Sequence, residues 1–231
     1  MKQMHVLGME LKDYSLKEAM RMVDTFLKEG KVNTVSFLSP EILMNAGEDE
    51  EMRNYLSSVD LTVPVSTEIL KASGIGSRAR LAEVEDGRFY KELMQKISNE
   101  KRTAFVLTEK EETIEPFLTY LRETAPGLKV VGWYAFENLT GDPDQIVNEI
   151  NSTFPDIVLS RLPSPKQEQF ANEHNAKLNA KLWVALREDF TTPYKKKTTG
   201  FERLRQGFLA KLFRRKVSQF INEQEDTGEN S

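Results

Sequence analysis

The sequence predicts an α/β protein: a mainly parallel sheet flanked by helices, followed by a basic amphipathic C-terminal helix. Three observations carry this expectation. Apolar runs of strand length, at Val32 to Leu38, Thr103 to Leu107, Lys129 to Trp133, Asp156 to Leu159 and Lys181 to Leu186, alternate with stretches of helical period. Helix-start signals recur just after several strands, as at Ser39-Pro40 and Thr108 with Glu111. From Phe201 onward, apolar residues at 201, 204, 208, 209, 212, 213, 217, 220 and 221 mark one face of a helix.

Taken in order, His5 to Leu11 reads as an opening strand. Ser15 and Glu18 then form a capping box before a helix with Leu16, Ala19, Met20, Val23, Phe26 and Leu27 on one side, ending at Gly30. Val32 to Leu38 is a buried strand, and Ser39-Pro40 opens a helix carrying Ile42, Leu43 and Ala46. A short helix covers Glu50 to Leu56, Asp60 to Pro64 is a brief strand, and Ser66 to Ala72 is helical. Ser73 to Asp86 has no clear period and reads as a loop; its Gly74-Ile75-Gly76 follows a helix pattern and fits a plain turn better than a dinucleotide motif. Phe89 to Ile97 is helical, Thr103 to Leu107 a strand, and Thr108 with Glu111 caps a helix through Tyr120.

Lys129 to Trp133 is another strand, and Asp142-Pro143 starts a helix with Ile146, Val147 and Ile150. Asp142-Pro143-Asp144 imitates a metal motif, but capping explains it better. Asp156 to Leu159 is a strand entered through Phe154-Pro155. After it, Ser164 is the expected N-cap, Pro165 the first helical residue and Gln167 the closing member of a capping box. The amides of that helix start, with Lys166 beside them, offer a place for an anion. The helix continues through Ala176 and the strand Lys181 to Leu186 follows. Strands alternating with helices at this spacing imply right-handed crossovers and a Rossmann-like sheet.

A chain of 231 residues suffices for one α/β core plus an appendage, and the divisions expected are a 1–193 core, a 194–222 basic appendage and a disordered acidic tail at 223–231. The lack of cysteine excludes disulfides, thiolate metal sites and a Cys nucleophile, and two distant histidines leave no basis for a His-built zinc site or triad. No metal or other cofactor is expected. The N-terminal sequence has no signal-peptide block and no segment is apolar enough to span a bilayer, which points to the cytoplasm. From Lys195 to Lys216 nine basic residues face one acid, Glu202, so this segment carries +8 and the remainder −12. Such asymmetry fits a cationic foot on an acidic body.

Several motifs in sequence carry a resemblance. They are Ser39-Pro40-Glu41, Asp60 to Pro64, Pro126 to Gly132, Pro155 to Ile157, Pro165-Lys166-Gln167-Glu168, Asp189-Phe190 and the basic tail. Together they resemble the TagA/WecG/CpsF family of bacterial glycosyltransferases over roughly Val6 to Ile221. The resemblance implies transfer of a hexosamine such as N-acetylmannosamine from a UDP-sugar donor to an undecaprenyl-diphosphate-linked acceptor. It places the reaction at the cytoplasmic membrane face, in teichoic-acid or other envelope polysaccharide synthesis. Ser39, Ser66, Thr108, Lys166, Gln167 and Asp189 are then the substrate-binding candidates.

The chain departs from the family pattern where chemistry is expected. Val65 stands where an aspartate base belongs, and valine accepts no proton; Glu68, one turn on, is a candidate substitute, with Glu41 and Asp189 at other strand ends, and each of the three also reads as an ordinary solvated carboxylate. The family's Thr-Leu-Asn-Pro-Glu is Phe37 to Glu41 here, so a threonine hydroxyl is missing and serine replaces asparagine. Thr108-Glu109 replaces a Gly-Gly turn, Glu83 to Asp86 replaces an Arg-Val-Thr-Gly element, and Ser160 to Pro163 replaces a glycine-rich approach. The sequence therefore carries two functions forward: a transferase, or a non-catalytic relative that partners or regulates the same pathway.

The tail carries three alternatives. Its cations can face an anionic membrane surface while its apolar residues enter the acyl boundary, with Arg203, Arg205, Lys211, Arg214 and Arg215 meeting headgroups or a diphosphate. Its apolar face can instead pack on its own domain or on a second subunit, giving a homo-oligomer. Nucleic acid is disfavoured by the acidic body and by the lack of a recognisable module.

Overall fold

The computed structural model of the chain describes residues 2–186 and 200–228. It opens with a hairpin, β1 (Lys2–Val6) and β2 (Met9–Asp13), instead of the single strand expected at His5 to Leu11. The turn explains the difference. Leu7 and Gly8 have φ of 51° and 76°, the consecutive left-handed residues of a tight two-residue turn.

Next come α1 (Leu16–Phe26), β3 (Asn33–Leu38), α2 (Pro40–Glu48), α3 (Glu50–Ser58), β4 (Leu61–Pro64) and α4 (Thr67–Ala72), in the expected order. The Ser15–Glu18 capping box forms, with Glu18 Oε2 accepting from Ser15 N at 2.9 Å. Where a loop was expected, the chain forms α5 (Arg78–Glu85), capped by Ser77. This helix buries only Val84, so it has no apolar stripe to read in sequence. Arg80 anchors it instead, donating to Asp13 Oδ1 from Nε at 3.0 Å and Nη2 at 2.8 Å, and to Glu83 Oε2 from Nη1 at 3.2 Å.

After α6 (Arg88–Asn99) and β5 (Thr103–Thr108) the chain makes a tight turn at Glu111–Thr113 before α7 (Ile114–Thr124). Thr108 does not cap that helix, because it belongs to the strand and its Oγ1 donates to Lys110 O at 3.0 Å. β6 (Lys129–Ala135), α8 (Asp144–Ser152), β7 (Ile157–Arg161), α9 (Lys166–His174), β8 (Leu182–Ala185) and α10 (Gly200–Gly228) complete the described elements. Asp142 supports the start of α8, its Oδ1 accepting from Asp144 N at 2.8 Å. α10 continues to Gly228, past Asn222 where sequence suggested that order would end.

Strands β3 to β8 form one fully parallel sheet in the order β4-β3-β8-β7-β5-β6. Alternate side chains of each strand enter separate cores, as the period of two requires. Ala104, Val106, Ile157, Leu159, Leu182 and Val184 meet α1, α6 and α7 on one face. Phe105, Leu107, Val158, Trp183 and Ala185 meet the hairpin and α2, α3, α4, α8, α9 and α10 on the other. Covering both faces turns central strands into unbroken apolar runs, which made them readable from sequence.

α10 lies on that second layer. Phe213 is 0% exposed, and Val217 and Phe220 pack against the same core. A Cβ at Gly8 would come within 3.0 Å of the Phe220 ring, so the left-handed hairpin turn is also a close-contact surface for the helix. The nine apolar tail positions do not share one face. At 100° per residue Leu204, Phe208, Lys211 and Arg215 fall within about 60° of one another, and Phe213, Val217 and Phe220 lie opposite. Exposure matches: Leu204 is 75% and Phe208 62% exposed.

Candidate functional site

The carboxyl rim of a parallel α/β sheet is where strand ends leave backbone and side chains open to a ligand. Here that rim holds two clusters. Leu38 pairs with Pro64, so the ends of β3 and β4 bring Ser39, Val65 and Ser66 together. Ser39 Oγ accepts from Ile42 N at 3.2 Å and Ser66 Oγ accepts from Glu68 N at 3.2 Å, so each serine opens the following helix. Both hydroxyls retain their proton as a donor. Val65 is half-buried, with its amide donating to Leu38 O at 2.9 Å.

Glu68, on the first turn of α4, lies between two cations. Lys71 Nζ is 3.5 Å from Oε1 and Arg214 Nε of α10 is 3.4 Å from Oε2. Glu41, opening α2, has Arg205 of α10 at 3.9 Å, and Glu48 at its end meets Lys216. Three of the tail's cations therefore meet carboxylates of the same chain. Lys211 and Arg215 are exposed on the other side of α10 and make no ion pair among the described residues. Arg203 is on α10, but its side chain lies outside the described residues, as does Asp189 altogether.

The second cluster forms where β5, β6 and β7 end. Thr108 pairs with both Ala135 and Arg161 and is completely buried. Beyond it, Glu109 Oε1 accepts from Lys166 Nζ at 2.7 Å, and that ammonium lies 4.5 Å from the centre of the Phe136 ring. Among the described residues, Glu109 Oε2, Gln167 Oε1 and Ser160 Oγ are buried and find no hydrogen-bond partner. Buried Arg161 lies with its guanidinium 4.6 Å over the Phe117 ring.

α9 starts differently from expectation. Pro165 is the residue before its first turn, the Ser164-Pro165 peptide is cis, and neither Ser164 nor Gln167 closes a capping box. Gln167 N donates to Pro163 O at 3.0 Å, and Glu168 N and Gln169 N donate to Pro165 O at 3.1 and 3.0 Å. These three amides are satisfied by carbonyls, which leaves Lys166 and Gln167 side chains as the polar groups of this helix start. Glu83, in the element expected to carry an arginine, is committed to Arg80 and to Leu16 N at 3.4 Å.

The two clusters lie side by side along the rim. β4, which leads to Val65, and β7, which leads to Lys166, stand three positions apart in the sheet, about 14 Å at ordinary strand spacing. A ligand that touches both Val65 and Lys166 is an extended one. Sequence placed Glu109 near a phosphate approach, but its partner Lys166 is 57 residues away and no local pattern links them. Phe136 was not anticipated, since an aromatic after a strand has no distinctive spacing, and Arg161, expected only as part of the element that replaces a glycine-rich approach, proves to be a buried guanidinium over Phe117.

The family model described as "Glycosyl transferase WecG/TagA/CpsF family" matches residues 4–191, from the hairpin to beyond β8, and stops before α10. No curated protein matches the chain at a significant level. Because the match spans far more than half of the chain, including the whole sheet and both rim clusters, the chain belongs to the WecG/TagA/CpsF family of glycosyl transferases.

Proposed function

We propose that this chain transfers a hexosamine from a UDP-sugar to an undecaprenyl-diphosphate-linked acceptor during envelope polysaccharide or teichoic-acid synthesis. In this reading the sugar donor lies along the carboxyl rim, with Lys166 and Gln167 at one end and Ser39 and Ser66 at the other. The attacking hydroxyl loses its proton to Glu68. Its oxygen bonds to the anomeric carbon as the bond to the diphosphate breaks, and UDP leaves with the electron pair. Val65 contributes a wall, since it has no group able to take the proton. The family match across the whole sheet supports this reading most directly.

The chain would work at the inner face of the plasma membrane, resting on the outward side of α10. That side presents Leu204 and Phe208 together with Lys211 and Arg215, which make no ion pair among the described residues, the composition of an interfacial helix. No helix among the described residues is long and apolar enough to cross a bilayer. Co-sedimentation of the full chain with phosphatidylglycerol vesicles, compared with phosphatidylcholine vesicles, tests the membrane part. Retention by neither removes it.

One observation favours a second reading, a non-catalytic relative acting as partner or regulator in that pathway. Glu109 already occupies the ammonium of Lys166 with a carboxylate. A diphosphate would have to displace it and then face its charge. Isothermal titration of UDP and UDP-N-acetylmannosamine into the full chain separates the two. Saturable micromolar binding supports transfer, and none at millimolar concentration supports the second reading.

A further inference from the structure

The two edges of the sheet are protected unequally. β4, at one edge, is four buried residues ending at Pro64. A short, covered strand that ends in proline offers a second chain little to pair with. β6, at the other edge, is seven residues long, and only Ala135 in it is buried. Among the described residues no strand pairs with its outer side. Val131 is exposed there and Trp133 is 52% exposed. Phe154, 72% exposed, stands beside the strand, because its neighbour Thr153 has Cγ2 3.2 Å from where a Cβ at Gly132 would be. The other exposed large apolar side chains among the described residues all belong to α10, so this edge is a separate apolar patch.

Charge indicates what covers it. The amino end of β6 is basic. Lys129 opens the strand, and Lys101 precedes Arg102, whose carbonyl accepts from Lys129 N at 2.9 Å. Both lysines are exposed and make no ion pair among the described residues. The carboxyl end is acidic. Glu137 follows the strand, its Oε1 accepting from Glu111 N at 2.6 Å, and Glu111, Glu112 and Glu137 are all exposed. An acidic or a basic peptide would suit one end and be repelled by the other. A strand with opposite charges at its two ends is complementary to a second copy of itself running the other way.

We propose that two copies of this chain join edge to edge through antiparallel β6 strands, making one sheet of twelve strands, six from each copy. The bulge in β6 falls at Val131, and Gly132 to Ala135 keep regular register with β5, which favours a pairing centred on Trp133. That register sets the two indoles side by side, Val131 opposite Ala135, and Lys129 of each copy opposite Glu137 of the other. The two-fold axis is then perpendicular to the sheet, so both α10 helices lie on the same side of it. On the membrane reading given above, on which only this consequence rests, two cationic helices meet one surface together.

Sedimentation velocity of the full chain across a range of concentrations is the test. A monomer–dimer equilibrium is expected, weakened about tenfold or more by Lys129→Glu and by Glu137→Lys, each of which sets like charges together. An equimolar mixture of those two variants should associate again, because both ion pairs return with their partners exchanged. Trp133→Ser should weaken the dimer severalfold, whereas Phe208→Ser on α10 should leave it unchanged. A chain that stays monomeric throughout overturns the proposal, as does a dimer that Phe208→Ser abolishes and Trp133→Ser does not. Failure of the mixed charge variants to associate overturns it too. Should Glu137→Lys fail to fold, Lys129→Glu decides alone, and an undiminished dimer gives the negative result. The readout is the mass of the particle, so it stands apart from UDP binding and from vesicle retention.

Discussion

Arg214 Nε lies 3.4 Å from Glu68 Oε2, so the C-terminal helix holds the carboxylate that follows Val65 at the end of β4. In the transferase reading this carboxylate takes the hydroxyl proton, and α10 orients it. Glu68→Gln should lower turnover by about 10²- to 10⁴-fold while leaving the fold intact. Arg214→Ala should change stability by less than about 1 kcal/mol, since the guanidinium is largely exposed. Steady-state transfer to a lipid-linked acceptor, alongside urea unfolding, checks both. Undiminished turnover in Glu68→Gln would remove this residue from the chemistry.

In the other cluster Glu109 holds the Lys166 ammonium. A charge-assisted hydrogen bond is worth about 1.5–3 kcal/mol, and Glu109 now takes the one that Lys166 could give a phosphate. Glu109→Ala should therefore tighten UDP binding by about tenfold or more, and Lys166→Ala should abolish that gain. Calorimetry on the two single variants and the double variant measures it. A Glu109→Ala chain with unchanged UDP affinity would show that the ion pair does not guard the site.

Most strands were legible because the sheet is covered on both faces, so Val158, Leu159, Trp183 and Val184 are all buried and leave no polar interruption. α1 and α2 were legible through their caps, which act locally. The missed elements are those organised by distant partners. α5 depends on Arg80 reaching Asp13, and the hairpin depends on two left-handed residues, one of them a leucine that gives no turn signal. At the site, Ser39 and Ser66 stand at strand ends as expected, whereas the Lys166–Glu109 pair joins the start of α9 to the residue after β5, which only the sheet order makes neighbours.

Gly132 on the edge strand β6 is a packing requirement. A Cβ there would lie 2.8 Å from Phe105 Cε2 and 3.2 Å from Thr153 Cγ2, and Phe105 is itself buried. Gly132→Ala should cost about 1–3 kcal/mol through overpacking. The midpoint of urea unfolding, at unchanged slope, gives the value. An unchanged midpoint would mean that Phe105 turns aside freely.

Burial raises the Glu168 carboxyl above its usual range, and this gives stability a definite pH trend. A folded-state value above the unfolded one, about 4.3, means that folding favours the protonated acid. Glu168 therefore contributes fully below about pH 4.3, and its contribution falls as pH rises through the folded value. Glu168→Gln removes that loss, so the variant should melt higher than the parent near pH 7–8 and lose this advantage near pH 4. Thermal unfolding at the two pH values tests the sign. Parallel curves for both proteins would show that Glu168 is not held protonated.

The two sides of α10 separate folding from surface binding. Phe213 is fully buried against the second core, and removing a buried phenylalanine side chain typically costs about 3–5 kcal/mol. Phe208, on the opposite side, is 62% exposed, so Phe208→Ser should alter stability by no more than about 0.5 kcal/mol. If the exposed side meets lipid, the order reverses in a vesicle assay. Leu204→Ser with Phe208→Ser should sharply reduce retention on phosphatidylglycerol vesicles, and Lys211→Gln with Arg215→Gln should remove about 1 kcal/mol of attraction per charge. Phe213→Leu, which keeps the core filled, should sediment with vesicles as the parent does. Full retention of the Leu204/Phe208 double variant would assign α10 to packing alone.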